Sequence, residues 1–212
     1  MNEGLTLLIA ISEKLIIARK PITRCYKFKK VNITTLRDNT IRGAQGFIEL
    51  GNINAENMPY QVGSNDLEDC EPEEVVENVE KLILDTQRQT PDSNIIISQI
   101  LLRFYRNQQM RHEYEIKRMK CNQLLSVLCE EYKVKYVLHT NLSQIHFGDG
   151  VHLSKDSGIA LCVRNLKEIL NPLLGVKNEQ RNEPRNNNPM RNRNMRNNYD
   201  GQYRNNETAR QS

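Results

Sequence analysis

No two of the five cysteines (Cys25, Cys70, Cys121, Cys129, Cys162) stand in a CxxC pair, and their number is odd. That excludes a disulfide framework and a zinc ribbon, and it points to free thiols in a reducing, intracellular compartment. Cys121, Cys129 and Cys162 fall within helical patterns and read as small hydrophobes. Long apolar runs are missing too. Nothing approaches the roughly 20 apolar residues of a membrane helix. The start, MNEGLTLLIAISEKLIIARK, carries an acid where a secretory leader needs positive charge, and Ser12-Glu13-Lys14 interrupts its apolar run. No membrane partner is expected. Charge of one sign is also lacking: residues 1–176 hold 22 basic and 22 acidic side chains, so the net +4 comes from residues 177–212. By bulk charge, the first 176 residues are not a nucleic-acid surface.

What is present is an alternation of apolar runs with segments of helical period, the pattern of an α/β domain. LTLLIAI (5–11) reads as a strand buried on both faces, VNIT (31–34) as a weaker strand, and about Asn39 to Leu50 as a helix. MPYQVG (58–63) is a poor strand led by proline. Pro72 then suits a first helical position, Glu73 and Glu74 suit the positive end of the helix dipole, and Val75, Val76, Val79, Leu82 and Ile83 share one face. NIIISQI (94–100) is the strongest strand, His112 to Tyr132 a long helix with Cys121, Leu124, Leu125 and Leu128 inward, and VKYVLH (134–139) the fifth strand. Ile159, Val163, Leu166, Ile169, Leu170 and Leu173 mark a last helix ending near Pro172 to Gly175. Such an order implies parallel pairing with right-handed crossovers: a three-layer α/β/α sandwich around a five-stranded parallel, flavodoxin-like sheet over residues 1–176. Ligands of such sheets bind beyond the carboxyl ends of the strands.

Residues 177–212 have almost no aliphatic side chains and contain eleven asparagines. They bury too little apolar surface to offset their ordering entropy and read as a disordered tail. Arg interleaved with Asn, Tyr199 and Tyr203 suits contact with RNA or single-stranded DNA; a solubilising extension is the other reading.

Two turn-rich stretches follow strands: VGSNDL (62–67), and GDGVH (148–152) within HFGDGVHLSKDSG, which alone holds three of the chain's ten glycines. In Asp149-x-x-His152 a carboxylate three residues before an imidazole can hold one ring nitrogen and leave the other as a base. Ser12, directly beyond the first strand, offers a nucleophile. Asn65 offers an amide donor for an oxyanion, and Gly63 permits close backbone approach.

Gly63-Ser64-Asn65-Asp66 resembles the G-x-N-D element, and Asp149-Gly150-Val151-His152 the D-x-x-H element, of the SGNH (GDSL-type) hydrolases, in order and in the expected fold, across about Leu5 to Gly175. The surrounding sequence is most similar to SGNH-like domains beside or within mobile-element reading frames of animals. The resemblance implies Ser12 as nucleophile, His152 as general base, Asp149 as its orienting acid and Asn65 as oxyanion donor. It implies acyl-ester hydrolysis through a covalent intermediate, with no metal and no cofactor.

Two departures stand out. Ile11 occupies the place of the aspartate that precedes the nucleophile in Gly-Asp-Ser, and no glycine lies between Val31 and Ile41, where a second oxyanion donor is expected. Loss of one such donor costs about 10²–10³ in rate. The departures favour a second function, a non-catalytic binding module of mobile-element origin whose tail contacts nucleic acid; intact Asp149 and His152 favour the esterase. Plainer roles also exist. Ser12 can cap a helix, Asn65 and Asp66 can form a turn and cap before Pro72, and Asp149 and His152 can be turn and surface residues. His146, Asp149 and His152 recur at every third position and could converge on zinc, although no fourth ligand is placed. Arg103, Arg106 and Arg111 read as a solvated basic cluster.

Overall fold

The computed structural model describes residues 5–11, 31–37, 40–51 and 55–176. They belong to one compact unit, Met1–Asn178. Ser12, Cys25 and residues 177–212 lie outside the described residues.

Five strands, β1 (Leu5–Ile11), β2 (Val31–Arg37), β3 (Asn57–Gln61), β4 (Asn94–Ser98) and β5 (Lys135–Val137), form a sheet in the order β2-β1-β3-β4-β5. Every neighbouring pair is parallel. Crossover segments between parallel strands must span the sheet, and here they carry helices α1 (Ile41–Glu49), α2 (Asp66–Asp69), α3 (Pro72–Gln89) and α4 (Gln108–Glu131), with α5 (Gly158–Leu173) after β5.

The β-branched run of β4 explains the layering. Side chains alternate along a strand, so Ile95 and Ile97 enter a core with Met58, Tyr60 and the inner faces of α1, α3 and α4. Ile96 faces the other way, into a second core with Val137, Phe147 and the apolar face of α5. Tyr60 remains buried because its hydroxyl and that of Thr86 hydrogen-bond at 2.8 Å.

The helix over 39–50 is observed as Ile41–Glu49, capped by the Thr40 hydroxyl, which accepts from Gly43 N at 3.1 Å. α3 starts at Pro72 as expected. α4 begins at Gln108 instead of His112, because Asn107 Oδ1 accepts from the amides of Gln109 and Met110 and supplies an N-cap that apolar periodicity does not reveal. Among the described residues no helix is long and apolar enough to cross a membrane.

Candidate active site

The carboxyl edge of the sheet is assembled from the ends of β1, β3, β4 and β5. Ile11, the last residue of β1, is in register with Gln61, the last of β3. Ser12 follows Ile11 in sequence and lies outside the described residues.

Residues 146–154 form a small hairpin. Phe147 and Leu153 pair as an antiparallel bridge, Gly148 N donates to His152 O at 2.9 Å, and Ser154 N donates to His146 O at 2.8 Å. At its tip Asp149 Oδ1 accepts from Val151 N (3.0 Å) and His152 N (2.7 Å), while Oδ2 meets His152 Nδ1 at 2.7 Å. Partial desolvation would raise the Asp149 pKa. The hydrogen bonds from the His152 backbone and ring and from Val151 N, with the attraction of His152, outweigh that and hold the carboxyl well below the usual range. The carboxylate therefore holds Nδ1 of the imidazole and leaves Nε2 as the nitrogen available for proton transfer.

The glycines of this segment have mechanical reasons. Gly150 has φ +86°, and a Cβ there would overlap the carbonyl oxygen of Phe104. A Cβ on Gly158 would overlap His146 O, where α5 starts against the hairpin. The N-terminus of α5 is capped by Ser154 Oγ, which accepts from Gly158 N at 3.0 Å. His146 Nδ1 accepts from Ser143 N at 3.0 Å. Among the described residues no group of three or more His, Cys, Asp or Glu is placed to hold a metal ion.

On the β3 side, Gly63 has φ +94°, and the atoms nearest its open position belong to Ile100 and Val75. Asp66 accepts from Ile41 N at 3.1 Å and ties the start of α1 to this loop. Asn65 makes no side-chain cap for α2. Its Oδ1 instead accepts from Nη2 of Arg103.

Arg103 departs from the expected solvated cluster. It is 7% exposed and also donates through Nη1 to Glu68 and to the Tyr105 hydroxyl (3.1 Å), with its guanidinium 5.5 Å from the Tyr114 ring centre. Arg106 and Arg111 are exposed as expected, Arg111 lying over the Phe104 ring. The signal that separates them was in the sequence: Arg103 sits between Leu102 and Phe104 inside an apolar stretch, whereas Arg106 and Arg111 lie among Asn, Gln and His.

The segment after β4 joins the two halves. Gln99 N donates to Val137 O, Asn122 bonds both the N–H and the carbonyl of Ile100, and the Tyr114 hydroxyl donates to Leu101 O. Arg103 then reaches Asn65, and Phe104 N donates to Gly150 O at 2.5 Å. Asn65 and the Asp149–His152 pair are thus held by consecutive residues.

No protein-family model and no curated protein sequence matches this chain. Solved structures do resemble it. A GDSL-like lipase candidate from Parabacteroides merdae superposes with TM-score 0.67 at 11% identity, over 79% of this chain and 96% of that one. A GDSL-like lipase from Bacteroides thetaiotaomicron gives 0.61 at 11%, over 79% and 88%. A member of the lipolytic G-D-S-L family from Veillonella parvula gives 0.60 at 16%, over 77% and 97%. Likeness at such identities speaks to architecture, and the architecture is the α/β fold of SGNH (GDSL-type) hydrolases.

Proposed function

We propose that the protein is an SGNH-type ester hydrolase acting on small acyl esters by covalent catalysis. The observation that carries this reading is the Asp149–His152 pair. Its ring contact is 2.7 Å, its carboxylate is fixed by two backbone amides, and it is linked to Asn65 through the consecutive residues Arg103 and Phe104. A surface turn needs no such orientation of an imidazole; a general base does.

In this mechanism Ser12 Oγ attacks the ester carbonyl while His152 Nε2 takes its proton. Asp149 holds the imidazolium that forms, and the Asn65 amide donates to the oxyanion of the tetrahedral intermediate. Collapse expels the alcohol, which receives the proton from His152. Water then attacks the acyl-serine by the same route and releases the acid. The absence of glycine between Val31 and Ile41, where a second oxyanion donor is expected, sets the expected rate about 10²–10³ below that of a site with a full set of oxyanion donors.

The test is hydrolysis of short-chain p-nitrophenyl esters. Slow turnover is expected in the parent and none above background in Ser12→Ala or His152→Ala. Parent-like rates in both variants would remove the serine–histidine mechanism.

A further inference from the structure

We infer that Arg103 is a positioning residue that sets the amide of Asn65 with its donor end toward the reacting carbonyl. The inference rests on the hydrolase reading for the purpose of that donor, and on geometry alone for its orientation.

The two ends of an asparagine amide are nearly alike in shape, and what decides between them is the partner. Arginine has five N–H donors and no acceptor. The atom of Asn65 that meets Nη2 of Arg103 must therefore be the carbonyl oxygen, and Nδ2, the other end of the same planar amide, is directed away from the guanidinium. Arg103 is itself held rigidly. Glu68 and the Tyr105 hydroxyl take Nη1, Tyr105 also donates to Glu68, Tyr114 lies beneath the guanidinium, and the two tyrosine rings pack edge to face at 5.7 Å. A simple ion pair with Glu68 would be complete without Asn65. The second arm of the planar fork is spent on a neutral amide, where a charged donor both orients the group and draws electron density toward Oδ1, making the Nδ2 hydrogens better donors. Removing the fork while keeping the charge should thus weaken transition-state binding and leave substrate binding alone.

The experiment compares parent, Arg103→Lys, Asn65→Ala and the double variant for kcat and KM on a p-nitrophenyl acetate series. In parallel, 15N spectra follow the side-chain amide of Asn65, identified by its loss in Asn65→Ala. Arg103→Lys is expected to lower kcat about 10- to 100-fold with KM within about twofold. It should cost nothing further when Asn65 is already alanine, and it should move the Asn65 amide signal. Additive losses, or a rise in KM with kcat unchanged, overturn the inference. Should Arg103→Lys fail to fold, Tyr105→Phe loosens the same guanidinium and is expected to move the amide signal and lower kcat in the same direction; no change in either overturns the inference. If the parent cleaves no ester, the hydrolase reading falls separately, and the amide signal still decides: moved by Arg103→Lys it upholds Arg103's hold on Asn65, unmoved it overturns it.

Discussion

The backbone of Phe104 lies directly against Gly150: its N–H donates to the Gly150 carbonyl at 2.5 Å, and its own carbonyl oxygen fills the space where a Cβ would stand. The tip of the Asp149–His152 hairpin is therefore seated on the segment that follows β4, and only glycine fits. Gly150→Ala is expected to force the two backbones apart and to strain a residue at φ +86°, at a cost of about 1–3 kcal/mol. Esterase turnover should fall at least about tenfold as the imidazole shifts. Gly148→Ala is the control, because its nearest neighbour is Ser154 Cα at 3.9 Å; its stability should stay within about 0.5 kcal/mol of the parent. Urea unfolding and ester hydrolysis on both variants check this. Equal behaviour of the two would mean that the seating against Phe104 has no consequence.

Asp149→Asn separates orientation from charge. The new amide can still accept from Val151 N and His152 N, but its NH₂ end would face His152 Nδ1 and favour the tautomer that carries hydrogen on Nε2. A protonated Nε2 accepts nothing from a serine. Turnover is expected to fall about 10²- to 10⁴-fold with the fold intact. Stability carries its own sign. A carboxyl held below its ordinary value of 3.8 stabilises the folded state above that pH, and the contribution is lost as pH falls through the acid range. Melting temperatures of parent and variant should therefore differ at pH 7, with the gap holding down to about pH 4 and starting to narrow only as pH falls below 3.8. A gap that widens on acidification would contradict the hydrogen bonds described.

Most strands and helices of this fold were legible because a residue pattern marks them, whereas β3, buried throughout, was read only as a poor strand because of its proline. Continuous apolar runs mark β1 and β4, and a single apolar stripe marks α3 and α5. The D-x-x-H pair was legible because two histidines and two aspartates crowded into glycine-rich sequence have few other uses. Arg103 was not. Its partners Asn65, Glu68 and Tyr114 are 38, 35 and 11 positions away, and nothing local distinguishes a buried, paired guanidinium from a solvated one except apolar neighbours. The start of α4 was missed for a similar reason: the cap at Asn107 is a polar, local device, invisible to hydrophobic period.

Asn122 is the least conspicuous of the buried polar residues that shape the site. Its Oδ1 accepts from Ile100 N at 2.8 Å and its Nδ2 donates to Ile100 O at 3.1 Å, a substitute for a strand partner beyond the end of β4. Asn122→Leu keeps the volume but takes the partner from Ile100 N, while Ile100 O retains Arg118 Nη1 at 3.4 Å. A buried donor left without its partner costs about 1–3 kcal/mol, and the variant is expected to lose stability of that order. Faster amide hydrogen exchange should concentrate at Ile100 to Phe104. Uniform exchange across the sheet would mean that Asn122 supports the fold generally and not this segment.

His139 offers the clearest pH prediction. It is buried beyond β5, with Nδ1 3.1 Å from Asn165 Nδ2, which donates to it, and Nε2 4.0 Å from the Cys162 thiol. Burial holds its pKa down to about 4, and burial pushes that of Cys162 up to about 12, so both are neutral near pH 7. An unfolded chain takes up the histidine proton near pH 6.5, whereas the folded chain resists until about 4. The stability associated with neutral His139 is thus fully present above pH 6.5, declines between 6.5 and 4, and levels below that, a change on the order of 3 kcal/mol in total. His139→Gln keeps an acceptor for Asn165 without the titration. Urea unfolding at pH 7.5, 6.0, 5.0 and 4.5 should show the parent losing stability more steeply than the variant across this window. Parallel slopes would place the acid sensitivity of the fold elsewhere.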